Sequence, residues 1–515
     1  MIYHRFHISA MLLLVALVLS ATSMVAQETK DTISIISFND FHGKFVPDNG
    51  VPGAACLVGA VKKILHTRPN PIVVCGGDNF SGDIFSKYTR ADLLKQMFSA
   101  MKVEVSAVGN HEFDWGLPFL KDTMAVTVPL IGANIVDDFV SKDHPWFAPY
   151  YILERTLRDG RAFRIAFIGL TTTTTPLKSK ASNMRGIHFV DPVNAVQRQL
   201  ERLRKEARID MVIILMHSGI SMDYPYRIED KDVEMLPFVP GISAIVAAHA
   251  HTLAYDKINN IPVIQAEAYT AGVNVLYFQV RNHEGIRDVS YIGMDTLKTK
   301  NFAPDEIIKA AVDKEAQKYG FNDKLTYSKD FMEHSADVNP HEYTAPGAYV
   351  SASYAYAYRK KHPEVVCPVI GVNHYGGIRS VFEKGPVTYL HALNMLPFVG
   401  KVVAYRFTGS MFKKLLTDGR CRLPYYMQTS DIAIHLNKQN GVDGVWYHGK
   451  EIGDTDECIV VLDNYVADGS DGYDASLFSH PLDTVGTTAD LFTDYLRTLP
   501  YVSLKKAPLP VIKKY

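Results

Sequence analysis

Five short apolar runs constrain this chain more than any other feature of its 515 residues. Each has the length and β-branched content of a buried strand, and each ends on Asp, His or Asn. Residues 33–38 lead into Asn39-Asp40-Phe41-His42-Gly43, and residues 71–75 into Gly76-Gly77-Asp78. Residues 103–108 lead into Gly109-Asn110-His111-Glu112-Phe113-Asp114. Residues 211–215 lead into Met216-His217, and residues 244–247 into Ala248-His249-Ala250-His251. A polar turn after one buried strand is ordinary, but five strands carrying the same kinds of side chain are not. Open α/β sheets place ligands at the carboxyl ends of their strands, so the pattern reads as a two-metal site.

Ligand chemistry narrows the metal. Asp40, His42, Asp78, Asn110, His217, His249 and His251 offer mixed nitrogen and oxygen donors. That mixture suits two divalent ions of the Zn, Mn, Fe or Co kind, and differs from a thiolate-bound structural zinc. Two such ions about 3.5–4 Å apart activate a water and clamp phosphoryl oxygens during in-line displacement. Asp78 is the natural bridge, because the preceding glycines let the backbone turn closely beneath both ions. His111 directly follows Asn110 and can flank the metals without binding them. It is placed to stabilise phosphoryl charge or protonate a leaving oxygen, with Asp114 orienting its ring.

The length exceeds what one core fills and implies two large domains. Composition is that of an ordinary globular chain, 47% hydrophobic and 21% charged with a formal net charge of −1. Such a balance provides no field for a nucleic-acid polymer or a membrane surface, so an anionic substrate must be held by local cations. Residues 1–26 read as a secretory signal, with His4, Arg5 and His7, an apolar run over 11–19 and Ala26 at the cleavage point. That run is short for a bilayer span, and no second one follows. The mature chain is therefore expected to be exported, periplasmic or secreted, without a transmembrane anchor. Five cysteines are odd in number and too few for a disulfide scaffold. Cys421 and Cys458 are candidates for pairing, whereas Cys75 reads as a buried thiol.

Residues 31–295 alternate strand-like and helix-like segments. Helices are expected over 54–65 and 91–101, and a third opens at Asp191-Pro192. In that third helix Val193, Val196, Leu200 and Leu203 keep helical spacing, with Arg198, Arg202, Arg204 and Lys205 on the solvated face. Residues 165–170 read as another buried strand, and the threonines over 171–175 as the loop after it. An acid-first helix from Pro304 to Tyr319, stopped by Gly320, reads as a connecting element within 300–325. Residues 335–515 form a second domain of α+β type.

The five motifs resemble those of the calcineurin-like metallophosphoesterases. The two-domain layout is similar to the secreted bifunctional 5′-nucleotidase/UDP-sugar hydrolase family, over essentially the whole mature chain. The resemblance implies an α/β first domain built as a two-sheet β-sandwich flanked by helices, a linking helix, and an α+β domain that binds substrate. It implies that Asp40, His42, Asp78 and His251 hold one metal, and that Asp78, Asn110, His217 and His249 hold the other. It makes His111 and Asp114 the catalytic pair. In that family the second domain carries the nucleoside and delivers its phosphate by rotating about the linking helix. By the same resemblance Arg379 contacts the substrate, Phe398 and Tyr465 sandwich the base, and Asp471 holds the ribose hydroxyls. Stacking suits that role, since every base offers a π-face worth about 1–3 kcal/mol.

Two departures bear on substrate. The segment Asn373-His374-Tyr375-Gly376-Gly377-Ile378-Arg379 is one residue longer than the family pattern. Either Asn373 bulges into place or His374 takes over its contact. His341 stands near where a phosphate-binding arginine is expected, and a histidine cannot copy a bidentate guanidinium clamp. The expected activity is release of phosphate from nucleotides, as a 5′-nucleotidase. The alternatives are 2′,3′-cyclic nucleotides, UDP-sugars or non-nucleotide phosphate esters. A non-catalytic nucleotide- or surface-binding protein is a different class of reading, but binding alone would not require His111 and Asp114.

Overall fold

In a computed structural model of the chain, the residues described are 29–514, apart from 48–49, 90, 125–127, 142–143, 180, 207, 221–234, 284–285, 336–338, 399 and 424. The side chains of 123, 124, 178, 181, 182 and 471 are not described either. The expected leader, residues 1–26, therefore lies outside the described residues. The chain divides into two compact units. One takes the chain up to Ser81 and then Thr89–Ala310; the other takes Gly82–Tyr88 and everything from Ala311 onward.

The first unit is a sandwich of two six-stranded sheets. One sheet runs in the order Ile286–Lys298, Gly272–His283, Thr29–Phe38, Pro71–Cys75, Val103–Ala107, Leu130–Ile131. The other runs Ala254–Ile258, Ile261–Gln265, Ala244–Ala247, Met211–His217, Ala162–Thr171, Tyr150–Thr156. Alternation along each strand sends one set of side chains between the sheets. Ile33, Ile35, Ile72, Val74 and Val105 of the first sheet meet Ile165, Phe167, Ile213, Leu215 and Val246 of the second. The opposite set packs outward under helices. Phe38 meets Phe98 of the helix Asp92–Met101 edge-on. Ile168, Ile214 and Met216 lie in one core with Val196, Leu200 and Leu203 of the helix Pro192–Glu206. Burial on both faces explains why these strands read as unbroken apolar runs.

The central strands of each sheet are parallel. Their carboxyl ends therefore emerge at one edge of the sandwich, which is where the polar motifs begin. Local signals behave as expected. Asp191 caps the helix Pro192–Glu206 by accepting from Asn194 N at 2.8 Å, and Arg202, Arg204 and Lys205 are exposed. The threonines after the strand Ala162–Thr171 tie loops together. Thr171 Oγ1 donates to the Val108 carbonyl, and Thr175 Oγ1 donates to the Thr172 carbonyl at 2.7 Å.

The helix Glu306–Lys318 carries the chain from one unit into the other. It starts after Asp305, whose carboxylate accepts from Ile308 N at 3.0 Å, and it ends before Gly320 at φ +66°. The second unit is an α+β body. Its five-stranded sheet runs Gln428–Thr429, Val369–Asn373, Glu457–Asp463, Lys401–Thr408, Pro481–Thr487. A four-stranded sheet runs Lys450–Glu451, Val442–Tyr447, Ile432–Leu436, Val511–Lys514. Phe412, Leu415 and Leu416 of the helix Gly409–Cys421 join Ile434, Val445, Val460 and Leu462 in its core. The segment Gly82–Tyr88, inside the expected 31–295 domain, clusters with this unit, where Phe85 and Tyr88 pack on Phe321.

The cysteine expectation needs one correction. Cys421 and Cys458 are both free, the first exposed at a helix end and the second buried inside a strand. Cys75 is a buried thiol, and burial pushes its pKa up to about 12. Among the described residues, no helix is long and apolar enough to cross a membrane.

Candidate metal centre

Three of the five site loops are held in a conformation that L-residues rarely adopt. Asp40, His42, Asp78, His249 and His251 have φ of +49°, +49°, +55°, +80° and +61°. Each such residue costs about 1–3 kcal/mol. A fully buried Val, Leu or Ile contributes about 1.5–3 kcal/mol, so a few core side chains of the sandwich offset the whole strain. Glycine does the remaining close work. Gly77 lies at φ +98°, and a Cβ there would stand 2.9 Å from His217 Nδ1. A Cβ on Gly109 would stand 2.1 Å from Asp78 Oδ1.

The loops bring two groups together. Asp40, His42 and His251 form one, and Asp78, His217 and His249 the other, with the ligand atoms of each group within 4.8 Å of one another. Asn110 joins the second group, its Oδ1 lying 3.1 Å from His217 Nε2. Asp78 Oδ2 lies 3.0 Å from His217 Nε2 and 3.7 Å from His42 Nε2, so it stands between the groups.

The outer contacts explain why these atoms point inward. Asp40 Oδ2 accepts from His249 N at 2.9 Å and from Asn39 Nδ2 at 2.6 Å, which leaves Oδ1 facing the site. Asp78 Oδ1 accepts from His111 N at 2.8 Å, leaving Oδ2. His42 Nδ1 lies 2.7 Å from the Ser81 carbonyl, His217 Nδ1 2.9 Å from the Gly76 carbonyl, and His251 Nδ1 2.9 Å from the Tyr269 hydroxyl. A carbonyl only accepts, so His42 and His217 carry their protons on Nδ1 and present Nε2 lone pairs inward.

That arrangement tests whether cations fit. His42 Nε2 and His251 Nε2 face each other at 3.0 Å. The Nε2 lone pair of His217 faces a carboxylate oxygen and an amide oxygen. Asp40 Oδ1 and Asp78 Oδ2 are buried with no hydrogen-bond donor. Buried acceptors without donors are expensive, and convergent acceptors repel unless positive charge lies among them. Without cations, a second proton on His217, at Nε2 and facing Asp78 Oδ2, would supply part of it. Burial lowers the His217 pKa, but the Asp78 carboxylate outweighs it and raises the value to about 10. Burial likewise raises Asp78, and His217 and His111 outweigh it to hold that carboxyl well below the usual range. One proton cannot satisfy both groups; two divalent cations among these donors would.

His111 flanks the centre on the helical turn His111–Trp115. Its Nδ1 lies 2.8 Å from Asp114 Oδ2 and its ring 5.2 Å from that of His42. Burial lowers its pKa, and the charge of Asp78 with the Asp114 hydrogen bond outweighs that, raising it to about 9. Asp114 is itself held, accepting from Ser81 Oγ.

Glu112 was not singled out from sequence, although it lies inside the motif. Its buried carboxylate accepts from Asp78 N at 2.9 Å, Asn79 N at 2.7 Å and Gly109 N at 2.7 Å. It thereby fastens the Asp78 loop to the Asn110 loop. Burial and the nearby Asp78 push its pKa up to about 8, against the three amides that favour its charge. Spacing alone does not reveal such a role, because two of the three partners lie more than thirty residues upstream.

In the second unit Arg379 is exposed, and its guanidinium lies 5.8 Å from the ring of Phe398, which is 61% exposed. Tyr465 is 43% exposed and packs against His374. The backbone of Asp471 lies in the turn Ser470–Gly472, and its side chain is outside the described set. His341 is exposed beside Tyr426, with ring centroids 5.4 Å apart.

Comparison with known proteins agrees with both units. The sequence model of the calcineurin-like phosphoesterases matches residues 33–253, and that of the 5′-nucleotidase C-terminal domain matches residues 330–477. An apyrase of Tabanus yao is 23% identical over 420 residues, 73% of this chain and 71% of its own length. A 2′,3′-cyclic-nucleotide 2′-phosphodiesterase/3′-nucleotidase of Salmonella typhimurium is 24% identical, covering 80% of this chain and 69% of its own. The crystal structure of a 5′-nucleotidase precursor from Thermus thermophilus superposes with a TM-score of 0.70 at 21% identity, covering 93% of this chain and 99% of that one, and so shares the fold. The chain belongs to the calcineurin-like metallophosphoesterases that carry a 5′-nucleotidase C-terminal domain, hydrolases of phosphoric esters that use two divalent metal ions.

Proposed function

We propose that this chain is an exported nucleotidase whose two divalent ions are held by Asp40, His42, Asp78, Asn110, His217, His249 and His251. The observation that carries the reading is the His111–Asp114 pair beside convergent, donor-less acceptors. The bound ions would acidify a water and neutralise phosphoryl oxygens. The chain's own groups do the rest. Asp78 sits between the two donor groups and fixes their spacing. Asp114 holds the His111 ring through Nδ1, which leaves Nε2 to carry a proton to the leaving oxygen. The protonated imidazole also offsets charge developing on the phosphoryl group.

Recognition is assigned to the second unit, with residues 31–295 carrying the chemistry and 300–325 linking them. Arg379 would hold the anionic end of the substrate, Phe398 and Tyr465 its base, and Asp471 its ribose. Phe398, 61% exposed with the Arg379 guanidinium 5.8 Å from its ring, supports this, because an open ring beside a cation can take both a planar base and an anionic group. Export rests on the apolar run over 11–19 and is checked by locating the mature amino terminus. A second reading, hydrolysis of 2′,3′-cyclic nucleotides, is favoured by His341. It stands near where a phosphate-binding arginine is expected, and the Salmonella typhimurium relative bears that activity in its name.

The test is hydrolysis with Mn or Zn and with chelator, read as phosphate release from AMP, UMP, ATP and an aryl phosphate, and as nucleoside monophosphate formed from UDP-glucose and 2′,3′-cyclic AMP. Metal-dependent preference for nucleoside monophosphates is expected. Metal-dependent hydrolysis of the aryl phosphate alone would leave the chemistry standing and remove the nucleotide reading.

A further inference from the structure

The segment before Arg379 holds an arrangement around His374 that the proposed function does not use. Asn373 is buried and its side chain is taken up inside the fold. Its Oδ1 accepts from Tyr354 OH at 3.0 Å, and its Nδ2 donates to the His374 carbonyl at 2.7 Å. His374 is only 7% exposed, and its ring centroid lies 5.2 Å from that of Tyr465, inclined by 44°. Tyr425 and Tyr473 stand edge-on to the same imidazole, at 6.3 Å and 6.2 Å. Gly376 makes the room: a Cβ there would lie 2.7 Å from His374 Cε1. The Tyr465 backbone is fixed separately, its N–H donating to Asp463 Oδ1 at 3.0 Å.

A tyrosine with one side against a buried ring and much of its remaining surface open is a stacking platform with its orientation already set. Platforms set in advance bind more tightly, because less side-chain freedom is lost on binding. We propose that His374 is a positioning residue for Tyr465, and that recognition of a substrate's planar base depends on this imidazole rather than on Asn373. The proposal rests on the nucleotide reading of the second unit. It goes beyond it by naming the residue of this chain that sets the platform.

The test compares steady-state kinetics on a nucleoside 5′-monophosphate and on ribose 5-phosphate, which keeps the sugar and phosphate but has no base. His374→Ala is expected to raise KM for the nucleotide about 5–20-fold with kcat within about twofold, and to leave both constants for ribose 5-phosphate unchanged. His374→Phe, which keeps a planar ring, should return the nucleotide KM to within about threefold of wild type. Gly376→Ala displaces the imidazole without removing it, should raise the nucleotide KM in the same direction, and decides the matter if His374→Ala fails to fold. An unchanged nucleotide KM in a folded variant overturns the proposal, and so does an equal rise for ribose 5-phosphate. A wild-type enzyme that treats the two substrates alike overturns it together with the nucleotide reading, and that result is visible before any variant is made.

Discussion

The metal centre and the aromatic cluster of the second unit are built on opposite terms. In the first, nearly every donor atom is fixed by a second contact on its far side. Asp40 by Asn39 and His249 N, Asp78 by His111 N, His42 by Ser81, and His217 by Gly76 are examples. Asp40, His42, Asp78 and His217 are buried. In the second, Arg379, Phe398 and Tyr465 are exposed, and the contacts described for them are ring contacts and backbone bonds. Convergent charge must be arranged before a cation arrives, because acceptors cannot be gathered cheaply at the moment of binding. An aromatic platform carries no such penalty and can stay open to its ligand. Chemistry is thus enclosed here, and recognition stays open to solvent.

Substitutions should separate the two regions by size and kind of effect. The largest loss is expected from Asp78→Ala, which removes the carboxylate between the two groups. Activity and metal content should disappear together, and a variant that keeps two ions would show that Asp78 is no bridge. His111→Ala should slow turnover by about 10²–10⁴-fold while elemental analysis finds the metals unchanged. Undiminished turnover would take His111 out of the reaction.

Glu112→Gln is expected to weaken metal affinity by about 10–100-fold, the usual scale for a residue that supports ligands. An amide nitrogen would then face backbone N–H groups that now donate to a carboxylate, and metal titration with activity as readout would record the loss. The smallest effect should come from the open region. Tyr465→Ala removes stacking worth about 1–3 kcal/mol, raising KM for nucleotides with kcat nearly unchanged. A fall in kcat without a change in KM would mean that this ring belongs with the chemistry, and would erase the contrast.

Much of the metal centre was legible because its logic is local. Each donor follows an apolar run, and parallel strands buried on both faces bring their carboxyl ends to one edge. The sequence pattern therefore points to Asp40, His42, Asp78, His217, His249 and His251, which the structure gathers into two groups, and to Asn110 beside the second. What stayed hidden depends on contacts across long separations. Glu112 is an ordinary acid until its carboxylate meets the amides of Asp78 and Asn79. The left-handed backbone at five donor positions follows from how loops close over the sandwich, and none of those positions is a glycine. The segment Gly82–Tyr88 follows the Asp78 motif directly, yet its aromatic rings pack with Tyr319 and Phe321, more than two hundred residues later. Before Arg379 the structure turns Asn373 inward to Tyr354 and sets His374 against Tyr465, contacts that no local pattern in the sequence announces.

The most direct measurement is the number of ions per chain in the wild-type protein. Protein loaded with Mn or Zn, freed of excess metal and analysed by elemental mass spectrometry, should hold two ions per chain, and phosphate release should follow their removal and return. A single ion per chain at full activity, or activity indifferent to chelator, would contradict a dinuclear centre bridged by Asp78.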